Sequence, residues 1–153
     1  MTSRTILLVE DNPDDEALTL RAFDKSNIHN KVVVKRDGAE ALAYLLPGEG
    51  EGEGDGAPTP ALILLDLNLP KVGGLEVLRR MRADERTQMI PVVVLTSSKL
   101  EEDVLVSYRN GANAYVRKPV KFSEFTEAVK ALGVCWLLLN EPVPSVAPKL
   151  GLR

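Results

Sequence analysis

The stretch Ala61-Leu62-Ile63-Leu64-Leu65-Asp66 constrains the fold more than any other part of the chain. It is a continuous apolar run, bounded by Pro60 and Pro70, that stops on a carboxylate. A strand with one wet face alternates apolar and polar residues. A run apolar at every position fits an interior strand of a parallel sheet, covered on both faces. The carboxyl ends of such strands open onto the crevice where ligands bind. Asp66 is therefore predicted to stand where an ionised group reaches solvent and a ligand. A strand-end Asp that merely caps the next turn is the plain alternative.

The remaining chain alternates in the same manner. Thr5 to Glu10 reads as a first buried strand that also ends in acid, Glu10-Asp11. Asn12-Pro13 starts a helix to about Lys25, with Pro suited to the first turn and Asp14, Asp15 and Glu16 complementing the dipole. Lys31 to Lys35 is a second strand, and Asp37-Gly38 turns the chain into a second helix, Ala39 to Leu46. After the Asp66 strand, Gly73-Gly74 precedes a third helix from Leu75 to about Ala83. Ile90 to Thr96 is the fourth strand, and Ser97-Ser98 leads to a fourth helix, Leu100 to Arg109, with Gly111 as terminator. Asn113 to Arg117 is the fifth strand and ends at Lys118-Pro119. A fifth helix runs from about Phe122 to Leu139. Five strands alternating with five helices predict an α/β domain with a doubly wound five-stranded parallel sheet. Residues 1–140 form this domain, and residues 141–153 form a Pro-rich tail. Between Pro47 and Pro60 lies a Gly/Glu tract, too polar to offset its ordering entropy by burial and read as a mobile acidic loop.

Composition narrows the chemistry. A chain of 153 residues is one domain with a real core. Its net charge of −3 leaves no basic footprint for nucleic acid. No apolar run reaches membrane-spanning length and no signal segment opens the chain, so a cytoplasmic location is expected. One Cys and one His exclude a thiolate/imidazole zinc site, so any metal is a hard cation held by oxygen. That histidine, His29, falls between the first helix and the second strand and reads as a solvated loop residue.

The strand ends together supply Glu10, Asp11, Asp66, Thr96 and Lys118. Three carboxylates brought together repel one another unless a cation sits among them. Mg²⁺ suits such a site, because it keeps several waters and takes few protein ligands. Lys118 adds a compact positive charge and Thr96 a hydroxyl donor. An acid cluster with a divalent cation, an ammonium and a hydroxyl suits a group carrying three negative oxygens, such as a phosphoryl group. Asp66 can then act as a carboxylate nucleophile and form an acyl phosphate. Singly, each of these residues has a dull reading as a cap, a strand residue or a loop charge. Jointly they favour the site.

With these residues in place the chain resembles the receiver domains of two-component response regulators, over residues 4 to 132. The likeness rests on Val9-Glu10-Asp11, on Asp66-Leu67-Asn68-Leu69-Pro70 with Gly74, on Thr96-Ser97 and on Lys118-Pro119. It implies the flavodoxin-like (βα)5 fold and a phosphoacceptor role for Asp66. It further implies Mg²⁺ ligation by Asp11, Asp66 and the Asn68 carbonyl, with Glu10 acting partly through water. Lys118 would bind a phosphoryl oxygen, Thr96 and Tyr115 would form the switch pair, and the Lys118–Pro119 bond would be cis. A narrower likeness, carried by Asp11-Asn12-Pro13-Asp14-Asp15, Leu95-Thr96-Ser97-Ser98 and Gly133 to Pro142, is to the stand-alone regulators paired with bacterial phytochrome kinases. It implies a histidine kinase partner, a bacteriophytochrome, docking near the first helix and the loop after the fifth strand.

The fifth helix has apolar residues on every face, with Val134, Cys135, Leu137 and Leu138 added to the sheet-facing set, and no further chain to cover them. A homodimer through the helix 4/strand 5/helix 5 surface is therefore expected, with the tail as an embracing arm. A fold-back of the tail over its own helix is the alternative. Three other functions fit less well. A phosphatase of the haloacid dehalogenase type wants an acidic residue where Asn68 stands, and it wants a cap domain, so no turnover enzyme is expected. A DNA-binding regulator wants a helix-turn-helix after residue 140. An inactive scaffold is at odds with every charged position being filled.

Overall fold

A computed structural model of the chain describes residues 5–47, 59–96, 101–117 and 122–132. Its elements are β1 (Ile6–Val9), α1 (Pro13–Lys25), β2 (Val32–Lys35), α2 (Gly38–Leu45), β3 (Leu62–Leu65), α3 (Gly74–Ala83), β4 (Val92–Thr96), α4 (Glu101–Arg109), β5 (Ala114–Arg117) and α5 (Phe122–Leu132). All strand pairs are parallel and the order is β2-β1-β3-β4-β5. This is the doubly wound (βα)5 sheet that the alternation of strands and helices predicts.

The unalternating strands have the expected cause. Leu7, Val9, Ile63, Leu65, Val92 and Val94 pack on one face against α2 and α3, where Leu42, Tyr44, Val77, Leu78 and Met81 meet them. Ile6, Leu8, Leu62, Leu64, Val93 and Leu95 pack on the other face against Ala22 and Phe23 of α1 and Val129 of α5. Each buried side chain of this size contributes roughly 1.5–3 kcal/mol of transfer free energy. A single polar substitution in β1 or β3 would therefore fall in a core, whichever face it took. Among the described residues no helix is long and apolar enough to cross a membrane.

Helix starts follow local chemistry. The Asn12 side chain accepts from the N–H groups of Asp14 (2.8 Å) and Asp15 (3.2 Å), and Pro13 occupies the first turn. Asp37 caps α2 by accepting from the Glu40 N–H at 2.7 Å, so Gly38 is already helical. His29 is exposed in the α1–β2 connection, as its position predicts.

β4 begins at Val92, two residues later than the apolar run from Ile90 predicts. Pro91 has no N–H to give the ladder, the Ile90 N–H is turned to the Thr87 carbonyl, and Arg82, near the end of α3, engages the Ile90 carbonyl. Its guanidinium donates to the carbonyls of Ile90 (2.8 Å), Gln88 (2.9 Å) and Gly111 (3.0 and 2.9 Å), and to Asn113 Oδ1 (3.0 Å). The Ile90 carbonyl is thus taken before it can join the ladder. Asn113 Oδ1 also accepts from the Val92 N–H at 2.8 Å, which closes the start of β4 against the start of β5. Burial holds the Arg82 pKa below the usual guanidinium value, and each of these acceptors is a neutral oxygen.

Candidate functional site

Parallel register assembles the site. Ile6 pairs with Leu62 and Val9 with Leu65, so Glu10 and Asp66 leave the sheet side by side. Their backbones remain held: the Asp66 N–H donates to the Val9 carbonyl (3.1 Å) and the Glu10 N–H to the Lys35 carbonyl (3.0 Å). Asp11 follows at once, fixed by the Asn12 cap and by the Asn12 N–H donating to Glu10 Oε2 at 3.4 Å. One carboxylate oxygen from each of Glu10, Asp11 and Asp66 lies within 4.8 Å of the others.

Asp66 is more enclosed than a strand end implies, at 6% exposure, and Glu10 is at 1%, while Asp11 is exposed. The following loop turns back on the strand end. Its Asn68 N–H donates to Asp66 Oδ1 at 3.2 Å, and the Gly74 N–H donates to the Leu67 carbonyl at 3.0 Å. Gly74 comes so close to the strand end that a Cβ there would lie 2.3 Å from the Asp66 carbonyl oxygen. Only glycine permits that approach.

Two enclosed carboxylates at this separation repel by roughly 3 kcal/mol at an effective dielectric near 20. Three oxygen donors converging from one strand end, one loop start and a second strand end match the preference of a hard divalent cation, which tolerates an incomplete protein shell filled out by water. The residues fit such an ion. An ion there would find one carboxylate oxygen on each of Glu10, Asp11 and Asp66.

The other expected members divide. Thr96 ends β4 with Arg117 of β5 as its register partner. The Thr96 hydroxyl, Lys118 and the Lys118–Pro119 bond lie outside the described residues and side chains. Tyr115 is half-buried on β5, opposite Val94, and packs against the apolar cluster of the α2 and α3 face. The carboxyl-terminal half of the predicted fifth helix and the tail, residues 133–153, also lie outside the described residues. Two residues of the site's surroundings were not anticipated, Asp37 and Lys71, whose ends approach to 3.5 Å beside the loop after Asp66. The Asp37-x-x-Glu40 spacing was a readable cap signature. Nothing in the sequence marked Lys71.

Comparison with known proteins agrees with this geometry. Residues 6–130 match the family model described as the response regulator receiver domain. Response regulator Rcp1 of Synechocystis sp. (strain ATCC 27184 / PCC 6803 / Kazusa) is 40% identical over 134 residues, covering 88% of this chain and 89% of Rcp1. The crystal structure of its Mn²⁺-bound form superposes with a TM-score of 0.80 at 38% identity, covering 91% of this chain and 98% of that one. The phosphorylated cyanobacterial phytochrome response regulator RcpA superposes with a TM-score of 0.83 at 41% identity, covering 94% and 100%. The bacteriophytochrome response regulator AtBRR is 52% identical, with a TM-score of 0.71 and coverage of 92% and 100%. With its parallel five-stranded sheet, its convergent strand-end carboxylates and these likenesses, the chain belongs to the response regulator receiver family.

Proposed function

We propose that this protein is a phosphoryl-accepting switch in which Asp66 takes a phosphoryl group from a partner histidine kinase, a bacteriophytochrome. The observation that carries the reading is the meeting of Glu10, Asp11 and Asp66 within 4.8 Å, with Asp66 already oriented by the Asn68 N–H. In the transfer, an Asp66 carboxylate oxygen attacks phosphorus in line with the departing histidine nitrogen. The P–N bond breaks, its electron pair leaves with the imidazole, and an acyl phosphate forms on Asp66.

Mg²⁺, when bound, neutralises charge on the transferring phosphoryl oxygens and on the acid cluster. Asp11, Asp66 and the Asn68 carbonyl hold it in this reading, with Glu10 acting partly through water. Lys118 binds a phosphoryl oxygen and Thr96 turns its hydroxyl to the phosphate. The half-buried Tyr115 follows inward, biasing the α4–β5–α5 surface. That surface carries exposed Leu105 and Tyr108 on α4, in support of a homodimer through it and the tail. The protein works in the cytoplasm and has no separate turnover substrate.

The test is incubation with acetyl phosphate and Mg²⁺, read by intact mass. Wild type gains one phosphoryl mass and Asp66→Asn gains none. Equal gain in both would move the acceptor elsewhere. Labelled phosphate passing from an autophosphorylated bacteriophytochrome to wild type tests the partner, and no transfer beside a working control regulator would remove it.

A further inference from the structure

Between Asp66 and α3 the chain runs through a loop, residues 67–73, whose shape is fixed from outside as well as from within. Inside it, the Val72 N–H donates to the Pro70 carbonyl at 2.8 Å and the Leu69 N–H to the Leu67 carbonyl at 3.1 Å. Lys71 has φ of 67°, in the left-handed region that a lysine occupies only when its surroundings hold it there. Those surroundings are the start of α2. The Gly38 N–H donates to the Pro70 carbonyl at 3.4 Å. Gly38 also lies so close to the loop that a Cβ would stand 1.8 Å from the Val72 carbonyl oxygen. Asp37 Oδ2 lies 3.5 Å from Lys71 Nζ.

Asp37 is a firm anchor. It is 6% exposed, its Oδ1 is engaged by the Glu40 N–H, and the helix it caps buries Ala41, Leu42, Tyr44 and Leu45 in the core. Lys71 is mostly exposed and strained in backbone, so it is the partner that moves when the pair is broken. Three residues upstream stands Asn68, whose N–H orients Asp66 Oδ1.

We propose that Asp37 is a positioning residue for the acceptor: through Lys71 it holds the 67–73 loop in the shape that presents Asn68 to Asp66 and to the cation. The inference rests on the reading of Asp66 and its neighbours as acceptor and cation site. A simpler account has Asp37 and Lys71 acting on the cation by charge alone. The two accounts differ in sign. Charge alone makes Asp37→Asn bind a cation more weakly and Lys71→Met bind it more tightly. Positioning weakens binding in both variants, because either one frees the loop.

Both variants keep the fold, since Asn retains the capping oxygen and Lys71 is at the surface. The experiment measures Mn²⁺ affinity of the unphosphorylated protein by electron spin resonance for wild type, Asp37→Asn, Lys71→Met and the double variant. The Asn68 amide resonance is followed without metal. Each single variant weakens Mn²⁺ binding about threefold, in keeping with one partly exposed ion pair. The double variant is no weaker than either single, and the Asn68 amide shifts in both singles. Unchanged affinities, or single variants that move in opposite directions, overturn the proposal while leaving the acceptor reading intact. A wild type that neither binds Mn²⁺ nor gains mass from acetyl phosphate overturns the acceptor reading, and this inference falls with it.

Discussion

Arg82→Ala is the most telling test of how the far end of the sheet is built. The guanidinium makes four contacts of 2.8–3.0 Å to the carbonyls of Ile90, Gln88 and Gly111, plus one of 3.0 Å to Asn113 Oδ1. A hydrogen bond to a charged donor contributes about 1.5–3 kcal/mol net. Truncation returns part of that. The Gln88 residue is exposed and its carbonyl takes water, and the half-buried guanidinium no longer has to be desolvated. Ile90 is 6% exposed, so its carbonyl is the acceptor that loses most. The expected net loss is about 3 kcal/mol, or a Tm lower by roughly 6–12 °C for a domain of this size. Arg82→Lys recovers only part of the loss, since a compact ammonium lacks the planar fork that reaches three carbonyls and Asn113 Oδ1 at once. Urea unfolding followed by circular dichroism gives the loss. Labelling by acetyl phosphate stays near wild type, because Ile90 and Asn113 precede their strands whereas Glu10 and Asp66 follow theirs. A loss below about 1 kcal/mol would refute the view that this fork braces the β4 and β5 starts.

Gly74→Ala forces a methyl against two backbone atoms, the Asp66 carbonyl oxygen at 2.3 Å and Leu67 Cα at 2.7 Å. It costs about 1–3 kcal/mol in urea unfolding and slows acetyl phosphate labelling, whereas a neutral result on both would show that the strand end yields freely. Glu76 sits between Arg79 and Arg80, whose side-chain hydrogen bonds pull its pKa down to about 2. The stabilisation from that lowered pKa is fully present above the unfolded value of 4.5 and fades as pH falls toward 2. The urea midpoints of wild type and Glu76→Gln therefore converge in acid, and a gap that widens there would contradict the pairing. Mg²⁺ at about a hundred times its Kd raises stability by roughly 2.7 kcal/mol in thermal unfolding. Asp11→Asn loses most of that rise, and a rise of equal size in both proteins would place the ion elsewhere.

Much of the fold was legible because its signals are local. A strand covered on both faces must be apolar throughout, and β1 and β3 are. Asn12-Pro13 with three acids behind it announced α1 to the residue. The acid cluster was legible too, since strand ends in a parallel sheet share one rim and the carboxylates stood at two of them. What escaped reading depends on partners without sequence identity. Arg82 looks like any helix-surface charge, and its acceptors are main-chain oxygens that every residue possesses. The left-handed Lys71 is set by Gly38 contacting Pro70 and Val72 on either side of it, not by its own preference. Ile90 carries a strand-former's side chain, yet its carbonyl is claimed from outside the sheet.

The one-way direction of the sheet has a practical consequence for tinkering with this molecule. β1 and β3 deliver Glu10 and Asp66 at one pole, whereas α2 ends and β3 begins at the opposite pole, where Arg86 contacts the Pro47 carbonyl. Closure entropy grows only logarithmically with loop length. A peptide epitope or fluorescent reporter spliced between Pro47 and Pro60 would therefore ride on the molecule's antipode. Its presence would leave acetyl phosphate labelling untouched.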